Sequence, residues 1–348
     1  VLTGVSASRT EKNAGTYTTA ASGTDGNYNL TFVDGAMVIN KAALTATGNS
    51  ASVTYNGANQ TVSGFTVSGL QGTDTVSSLS SISATGATAK NAGSYANTVS
   101  AGTETNYTVT PVNGSLDIAK ANATVTAKGA SLTYNGTNQT TSGFTATGLV
   151  GGEAATVLTG VTASRTEKNA GSYTTTASGT DGNYNLSFVP GSMLINKAAL
   201  TVSALNDSKT YDANTYTGGA GASYNGLVNN ETAAVLSGTL AYSGSSQGAR
   251  NAGTYVITPG GLSSSNYAVS FADGALTVNP AALVITAQTN TKSFDGNASA
   301  LALPVVSGLR GADSVTNLSE AYADMNPGNA KAINVNEQFQ VTRQFWSY

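Results

Sequence analysis

Side chains suited to catalysis are scarce in this sequence. Its 348 residues include no His and no Cys, and charged residues make up 9% of it, where an ordinary soluble domain has about 25%. Without imidazole or thiol groups, the chain cannot form a Ser-His-Asp triad, a Cys-His pair, a disulfide or an ordinary zinc site. We therefore predict no catalytic, cofactor-binding or metal-binding residue, and a protein that is not an enzyme.

Tyrosines at a recurring position are the first candidates for ligand binding. One follows each of four Asn-Ala-Gly segments, at Tyr17, Tyr95, Tyr173 and Tyr255. Exposed rings there could stack on sugar rings, and the chain would then bind a glycan. The alternative is that the rings pack at the edge of the core with their hydroxyls near the surface, which is common for tyrosine. We favour packing, and the sequence identifies no binding residue.

A lysine precedes three of these segments, at Lys12, Lys90 and Lys168, and suggests an intramolecular Lys-Asn isopeptide bond as a hypothesis. Such a bond requires a buried carboxylate between its partners, and Arg250 replaces the lysine in the fourth segment. We find no acid that recurs at a fixed offset in every repeat, so we do not predict the bond. A carboxylate-based glycosidase, which needs two acids roughly 5 to 10 Å apart, is disfavoured for the same reason.

Internal repeats determine the elements that would position these residues. Lys/Arg-Asn-Ala-Gly begins at 12, 90, 168 and 250, and Asn-Tyr begins at 27, 106, 183 and 266. A third marker, an aromatic residue followed by Asn/Asp and Gly/Ala, begins at 55, 134, 211 and 294. Regular spacing of this kind indicates tandem modules. We predict an N-terminal half-module (1–40), a first (41–119), a second (120–196) and a third module (197–279), and a shortened C-terminal module (280–348).

Residues 1–44 and 157–200 are nearly identical and differ at 7 of 44 positions. Neighbouring modules match mainly at the markers. Dissimilar neighbours could avoid exchanging strands during folding, but we favour the interpretation that a two-module block was duplicated.

The local pattern predicts a mainly β fold of small β-rich modules in tandem. Residues 27–33 and 36–39 alternate apolar and polar side chains around Asp34-Gly35, which predicts a hairpin. Proline in the equivalent Pro190-Gly191 excludes a type I′ turn, so we predict a type II turn. The other two equivalents are Asn113-Gly114 and Asp273-Gly274.

One short helix of about two turns is an option in each module. It would form where Gly-Leu precedes an acid, in residues 70–76, 149–157 and 227–236.

No Gly/Ser/Pro-rich linker separates the modules. At each junction the apolar residues change between odd and even positions, as from Ile39 to Leu44. Odd and even residues of a strand face opposite sides. We therefore expect continuous strands to join the modules into an elongated rod, with consecutive cores on opposite faces.

The charge pattern argues against two kinds of partner. The net charge is −3 and the pI is near 4.9, so the basic surface of a nucleic-acid binder is missing. Apolar stretches such as 281–287 are much shorter than the roughly 20 residues of a membrane helix. We expect no nucleic-acid partner and no membrane insertion within this fragment.

The C-terminal residues 338–348 depart from the repeat and contain the only Trp of the chain, Trp346. They could form a capping strand, a docking surface or a diverged last strand. We favour a cap, because terminal repeats are often atypical.

The repeat markers resemble those of the MBG and YDG modules of secreted bacterial surface proteins, including filamentous-haemagglutinin-like adhesins. The first and second modules carry Tyr-Asn-Gly, at Tyr55 and Tyr134, and the third is closest to the MBG pattern. The C-terminal module opens like YDG at residues 292–296.

The resemblance implies tandem β modules, export to a Gram-negative bacterial surface and no catalytic residues. It also implies a stalk or adhesive role in attachment to cells, surfaces or matrix, as in biofilms. The expected partners are other copies of the chain, host or matrix surfaces, or a polysaccharide. Glycan binding by the modules themselves is the alternative function.

Overall fold

The computed structural model describes residues 2–343 and is mainly β, with its strands in many small sheets. It divides into two compact units. The first contains residues 2–130, 140–165 and 173–193, and the second contains 131–139, 166–172 and 194–343. The predicted fold class of tandem β-rich modules is confirmed, whereas the module boundaries and the rod stay predictions.

The N-terminal half-module contains β1 (Ser6–Ala7), β2 (Gly15–Thr19), β3 (Ala21–Ser22) and β4 (Gly35–Ile39). The first module contains β5 (Ala42–Gly48), β6 (Ala51–Thr54), β7 (Gln60–Val62), β8 (Phe65–Ser68), β9 (Ile82–Ala84), β10 (Ala87–Ala89), β11 (Gly93–Asn97), β12 (Val99–Ala101), β13 (Tyr107–Val112) and β14 (Gly114–Ala119).

The second module contains β15 (Ala121–Ala127), β16 (Ala130–Thr133), β17 (Gln139–Ser142), β18 (Phe144–Thr147), β19 (Val161–Glu167), β20 (Gly171–Thr175), β21 (Ala177–Gly179), β22 (Tyr184–Val189) and β23 (Gly191–Asn196). The third contains β24 (Ala198–Ala204), β25 (Asp207–Thr210), β26 (Ala222–Asn225), β27 (Ser237–Ser243), β28 (Gly253–Ser263), β29 (Tyr267–Ala272) and β30 (Gly274–Asn279). The C-terminal module contains β31 (Val284–Thr286), β32 (Val305–Ser307), β33 (Ser314–Thr316), β34 (Glu320–Tyr322), β35 (Ile333–Val335) and β36 (Gln340–Thr342).

Consecutive strands β13 and β14 do not pair with each other. β13 is parallel to β5, in a sheet of order β13-β5-β8, whereas β14 lies between β11 and β6 in another sheet. The third module repeats this arrangement, with β29 parallel to β24 and β30 between β25 and β28. The predicted hairpin is therefore wrong, because the chain passes from one sheet to another at Asn113-Gly114. In the half-module, β4 pairs with β2 and residues 27–33 form no strand.

The glycine of the predicted turn is needed for space. None of Gly35, Gly114, Gly191 and Gly274 has a positive φ, so the type II turn is also wrong. A Cβ on Gly114 would lie 2.2 Å from the carbonyl oxygen of Asn49. Backbone of the neighbouring strand connection occupies the volume that a side chain would need.

The predicted short helices are single 3-10 turns of three residues. Their valines are exposed and no residue in them is buried, so there is no apolar face to stabilise a longer helix. They are Val76–Ser78, Ala155–Val157 and Ala233–Val235.

Buried residues continue across the junction between the first and second modules. Leu116 and Ile118 of β14 are buried at even positions, and Ala121 and Val125 of β15 at odd positions, so the predicted change of parity is present. All four belong to one cluster of buried residues. The expected separation of consecutive cores onto opposite faces is therefore not found at this junction, because the residues before and after it belong to the same core.

The C-terminal module contains only two-stranded sheets within the described residues. Of the predicted cap, β36 pairs antiparallel with β33. Phe345, Trp346 and Tyr348 lie outside the described residues, and their capping or docking role stays a prediction. Between residues 2 and 343, no helix is long and apolar enough to cross a bilayer.

Candidate functional site

Two tyrosines and one carboxylate meet where the first and second modules join. Tyr55 of the first module donates its hydroxyl to Oε1 of Glu153 at 2.5 Å, and Tyr184 of the second module donates to Oε2 at 2.6 Å. The two rings pack edge to face, with centroids 5.4 Å apart and an interplanar angle of 82°. Both tyrosines are buried. Each oxygen of Glu153 therefore accepts a hydroxyl from a different module.

The same arrangement recurs where the second and third modules join. Tyr134 donates to Oε1 of Glu231 and Tyr267 donates to Oε2, both at 2.6 Å. The rings are again 5.4 Å apart, at 81°. We call each set of two tyrosines and one acid a tyrosine–carboxylate cluster. The repeated geometry indicates that the cluster is a regular part of the junction, since a chance contact would not recur in the same form.

Parallel strand pairing places the tyrosines of the first cluster. β6 runs parallel to β14, and the amide of the next residue, Tyr55, donates to the carbonyl oxygen of Ala119 at 2.8 Å. Tyr184 begins β22 and pairs with Ala121 at the start of β15. The two tyrosines thus lie on either side of Lys120, at the junction.

A tight turn places the acid. The amide of Glu153 donates to the carbonyl oxygen of Val150, and the amide of Val150 donates to the Tyr184 hydroxyl at 3.0 Å. The hydroxyl of Tyr184 is therefore both acceptor and donor, which fixes its hydrogen toward Glu153.

The clusters move the pKa values of their members away from neutrality. The hydrogen bond to Glu153, with burial, raises the pKa of Tyr55 to about 12, and burial with the bond to Glu231 raises the pKa of Tyr134 to about 12. Hydroxyl donors, with a lysine nearby, hold the pKa of Glu153 below its usual value. At neutral pH the acid is ionised and the tyrosines are protonated. Such groups suit fixed hydrogen bonding and not general acid–base catalysis, which needs pKa values near the working pH.

The Lys-Asn-Ala-Gly and Asn-Tyr markers contact each other across the junctions. The amide of Ala92 donates to Oδ1 of Asn183 at 2.9 Å, and Nδ2 of Asn183 donates to Oδ1 of Asn91 at 3.2 Å. The second and third residues of the Lys-Asn-Ala-Gly marker thus hold the asparagine of the Asn-Tyr marker in the next module. The same pair of bonds joins Asn13 and Ala14 to Asn106, and Asn169 and Ala170 to Asn266.

The tyrosines singled out from the sequence are partly buried. Tyr95 packs against the core of the first unit and Tyr255 against that of the second. Their hydroxyls, and that of Tyr17, donate to the backbone carbonyl of the motif asparagine four residues earlier, at 2.8 to 3.0 Å. Tyr173 lies under the guanidinium of Arg165, 5.6 Å from the ring centroid. These contacts correspond to the packing alternative.

The acid of the cluster was missed in the sequence. Our statement that no acid recurs is wrong, because every module carries one four residues after a Gly-Leu pair. These acids are Asp74, Glu153, Glu231 and Asp313. The pattern Gly-Leu-x-x-x-Asp/Glu was the available signal, and we interpreted it as the start of a helix.

The acid also bears on the Lys-Asn hypothesis. A carboxylate of the required kind is present, but both oxygens of Glu153 accept tyrosine hydroxyls. The amide of Asn183 hydrogen-bonds to Asn91, as described above. The geometry is that of a hydrogen-bonded junction.

Among the described residues, the acids of the outer two junctions each accept a hydrogen bond from one tyrosine. At the half-module, Tyr107 donates to Oδ2 of Asp74 at 2.7 Å. At the C-terminal module, Tyr211 donates to Oδ2 of Asp313 at 2.7 Å, and the Arg343 guanidinium lies 5.7 Å from the Tyr211 ring centroid. The two-tyrosine cluster therefore belongs to the junctions that have complete modules on both sides.

A polar cavity of about 650 Å³ lies in the C-terminal module. Its lining includes the ion pairs Lys292–Asp295 and Lys331–Asp324 and the exposed ring of Phe294. Neither this cavity nor any other part of the chain from residue 2 to 343 contains a group of three or more acids that could hold a metal ion.

Comparison with known proteins gives one family. The sequence model of the family described as "MBG domain (YGX type)" matches residues 44–117, 123–194 and 200–277, together more than half of the chain. No curated protein sequence matches the chain.

Several solved structures of multidomain proteins show weak similarity to the chain. The N-terminal eight Ig domains of Down Syndrome Cell Adhesion Molecule are 9% identical with a TM-score of 0.18, covering 90% of this chain and 51% of that one. Sidekick-1 immunoglobulin domains 1–5 are 14% identical with a TM-score of 0.23, covering 85% and 72%. Drosophila N-cadherin EC1–4 is 10% identical with a TM-score of 0.18, covering 76% and 83%. Scores of this size do not establish a common fold.

Proposed function

Since the chain belongs to the MBG domain family of the YGX type, we propose that it is a non-catalytic repeat region of a secreted bacterial surface adhesin. Its modules hold an adhesive region away from a Gram-negative cell, or mediate attachment to other cells, surfaces or matrix. The observation that carries this proposal is the tyrosine–carboxylate cluster, which recurs with the same geometry at successive junctions.

A junction of this kind suits a load-bearing spacer. Hydrogen bonds to a charged acceptor are roughly twice as strong as bonds between neutral groups, and Glu153 and Glu231 each accept two. The asparagine pairs add further bonds across the same junctions. These contacts couple neighbouring modules, which favours transmission of force over independent movement of the modules.

Deletion in the natural bacterium tests the proposal. Antibodies against residues 41–279 should label intact cells, and in-frame removal of residues 41–196 should reduce attachment while the remaining protein still reaches the surface. Absence of surface labelling, or attachment that is unchanged by the deletion, would contradict it.

The second candidate function is binding of a glycan such as an exopolysaccharide, and the cavity in the C-terminal module favours it. Each of the two ion pairs in its lining has no net charge, because the lysine offsets the aspartate. Phe294 in the same lining is 69% exposed. A neutral sugar fits such a site, because sugars combine polar edges with faces that stack on aromatic rings. Phe294→Ala should abolish binding on a glycan array, whereas Leu301→Ala, at a residue 84% exposed outside the lining, should not.

A further inference from the structure

Each tyrosine–carboxylate cluster brings two phenol groups into contact. The hydroxyls of Tyr55 and Tyr184 lie 2.5 and 2.6 Å from the two oxygens of Glu153. The ring centroids are 5.4 Å apart, so the edge of one ring contacts the face of the other. The rings therefore meet with their hydroxyls directed at the same carboxylate, and the second cluster repeats the arrangement with Tyr134 and Tyr267. Two phenols in contact are the reactants of oxidative coupling.

The carboxylate gives each phenol a proton acceptor. The hydrogen bond to Glu153, with burial, raises the pKa of Tyr55 to about 12, so the hydroxyl keeps its proton until the ring is oxidised. A phenol that has lost an electron is a strong acid, and an acceptor at hydrogen-bond distance can take its proton. Both tyrosines are buried, whereas Glu153 is half-buried. The carboxylate can therefore pass the proton on to solvent.

Burial favours reaction between the two rings over other reactions of an oxidised tyrosine. Exclusion of water prevents side reactions of reactive intermediates, and Tyr55 and Tyr184 are 3% and 2% exposed. The chain also contains no Cys, whose thiol would be a competing target for an oxidant. The neighbouring ring is thus the reaction partner that the cluster supplies.

We propose that each cluster is a site of oxidative tyrosine cross-linking, which joins Tyr55 to Tyr184 and Tyr134 to Tyr267 through the ring carbons next to the hydroxyls. The co-reactant is a one-electron oxidant, such as a peroxidase intermediate, and each bond consumes two equivalents. Each tyrosine gives one electron to the oxidant and its hydroxyl proton, through the carboxylate, to solvent. The two rings then form a carbon–carbon bond, and the hydrogens of the bonded carbons move to the oxygens. The product has lost two electrons and two protons.

The two cross-links overlap along the chain. One joins residues 55 and 184 and the other joins 134 and 267. Of the chain between residues 55 and 267, only residues 134–184 then remain free to extend under load. The cross-linking site follows from the geometry of the clusters and does not depend on the adhesive role.

Photo-oxidation of the 348-residue chain tests the proposal. Visible light with tris(bipyridine)ruthenium(II) and persulfate generates ruthenium(III), a one-electron oxidant. Mass spectrometry after trypsin digestion should detect peptides 42–90 and 169–197 joined, with the loss of two hydrogens. Fragmentation should place the bond at Tyr55 and Tyr184 and not at Tyr173. The linked fraction should be independent of protein concentration, because the bond lies within one chain, and the link should be lost in urea-unfolded protein.

Two variants separate the contribution of the rings from that of the carboxylate. Tyr55→Phe should abolish the link between 55 and 184. Glu153→Gln retains both rings and should slow formation of this link roughly a hundredfold, the lower end of what a positioned proton acceptor contributes. In both variants, the link between Tyr134 and Tyr267 should form at the wild-type rate. This second link controls for folding and for the dose of oxidant.

Three outcomes would overturn the proposal. The first is absence of the link between 55 and 184 in folded protein in which Tyr173 is oxidised. The second is an equal yield of that link in folded and unfolded protein. The third is an equal rate in wild type and Glu153→Gln, because the proton would then not leave through the carboxylate. The comparison of folded with unfolded protein uses the unaltered chain and is independent of how the variants fold.

Discussion

A carboxylate is the side chain best suited to join two buried tyrosines. Each Tyr hydroxyl needs an acceptor once it leaves water. Glu153 offers two oxygens and no hydrogen, so it satisfies both hydroxyls at once. An amide offers one oxygen, and its NH2 group would face the other hydroxyl.

Glu153→Gln should therefore destabilise the protein by about 1–3 kcal/mol, the usual cost of leaving one buried polar group without a partner. Urea unfolding followed by circular dichroism measures the change. Glu337→Gln, at an exposed residue, is the matched control and should stay within about 0.5 kcal/mol of the wild type. Equal stability of Glu153→Gln and wild type would show that the cluster contributes nothing.

The cluster also predicts how stability depends on pH. The folded pKa of Tyr55 is about 12, above the ordinary value near 10. Its contribution is present below about pH 10 and is lost as the pH rises toward 12, because the unfolded chain releases the proton first. For Glu153 the pKa is lowered, so its contribution is present above the unfolded value near 4.3 and is lost as the pH falls below it.

The midpoint temperature of unfolding should thus fall with pH at different rates in Tyr55→Phe and in the wild type between pH 10 and 12. The variant should lose less stability over this range, since it lacks the titrating hydroxyl. Parallel curves for the two proteins would exclude the assigned cause.

At the scale of elements, the strands were predictable and their partners were not. The alternation predicts a strand on each side of the turn pair; both form around Asn113-Gly114, whereas around Asp34-Gly35 only β4 forms. It does not show that β13 and β14 join different sheets, because their partners β5 and β6 lie some sixty residues earlier. The markers recur once in each module, so the repeat is visible in the sequence. Their contacts join different modules, and residues so far apart cannot be paired from the local pattern. Asn91 and Asn183 are 92 residues apart.

The crossing between sheets depends on Gly114. A Cβ there would overlap the carbonyl oxygens of Asn49 and Gly48, at 2.2 and 2.4 Å. Gly114→Ala should cost at least about 2 kcal/mol, since backbone must move to admit the methyl group. Gly182→Ala is the control, because nothing lies within 4 Å of its added Cβ. Similar midpoints of urea unfolding for both variants would contradict this account.

At the scale of the whole molecule, the clusters should decide how cooperatively the modules unfold. The stability of tandem repeats is approximately a sum of module terms and nearest-neighbour interface terms. Weaker interfaces let the modules unfold separately.

The double variant Glu153→Gln/Glu231→Gln should therefore unfold over a broader temperature range than the wild type, or in separate steps. Differential scanning calorimetry measures this, with Glu337→Gln as control. A single sharp transition at lower temperature would contradict this, because the modules would still unfold together without the carboxylates and other contacts would be coupling them.

Each complete cluster has a direction along the chain. The earlier module supplies one tyrosine, and the acid and the second tyrosine follow it, with Tyr55 and Glu153 separated by 98 residues. A chain is synthesised from its N-terminus, and its domains fold in that order. We therefore expect Tyr55 and Tyr134 to lack their carboxylate acceptors until the following module has been synthesised, so that these junctions form one after the other, from the N-terminal side.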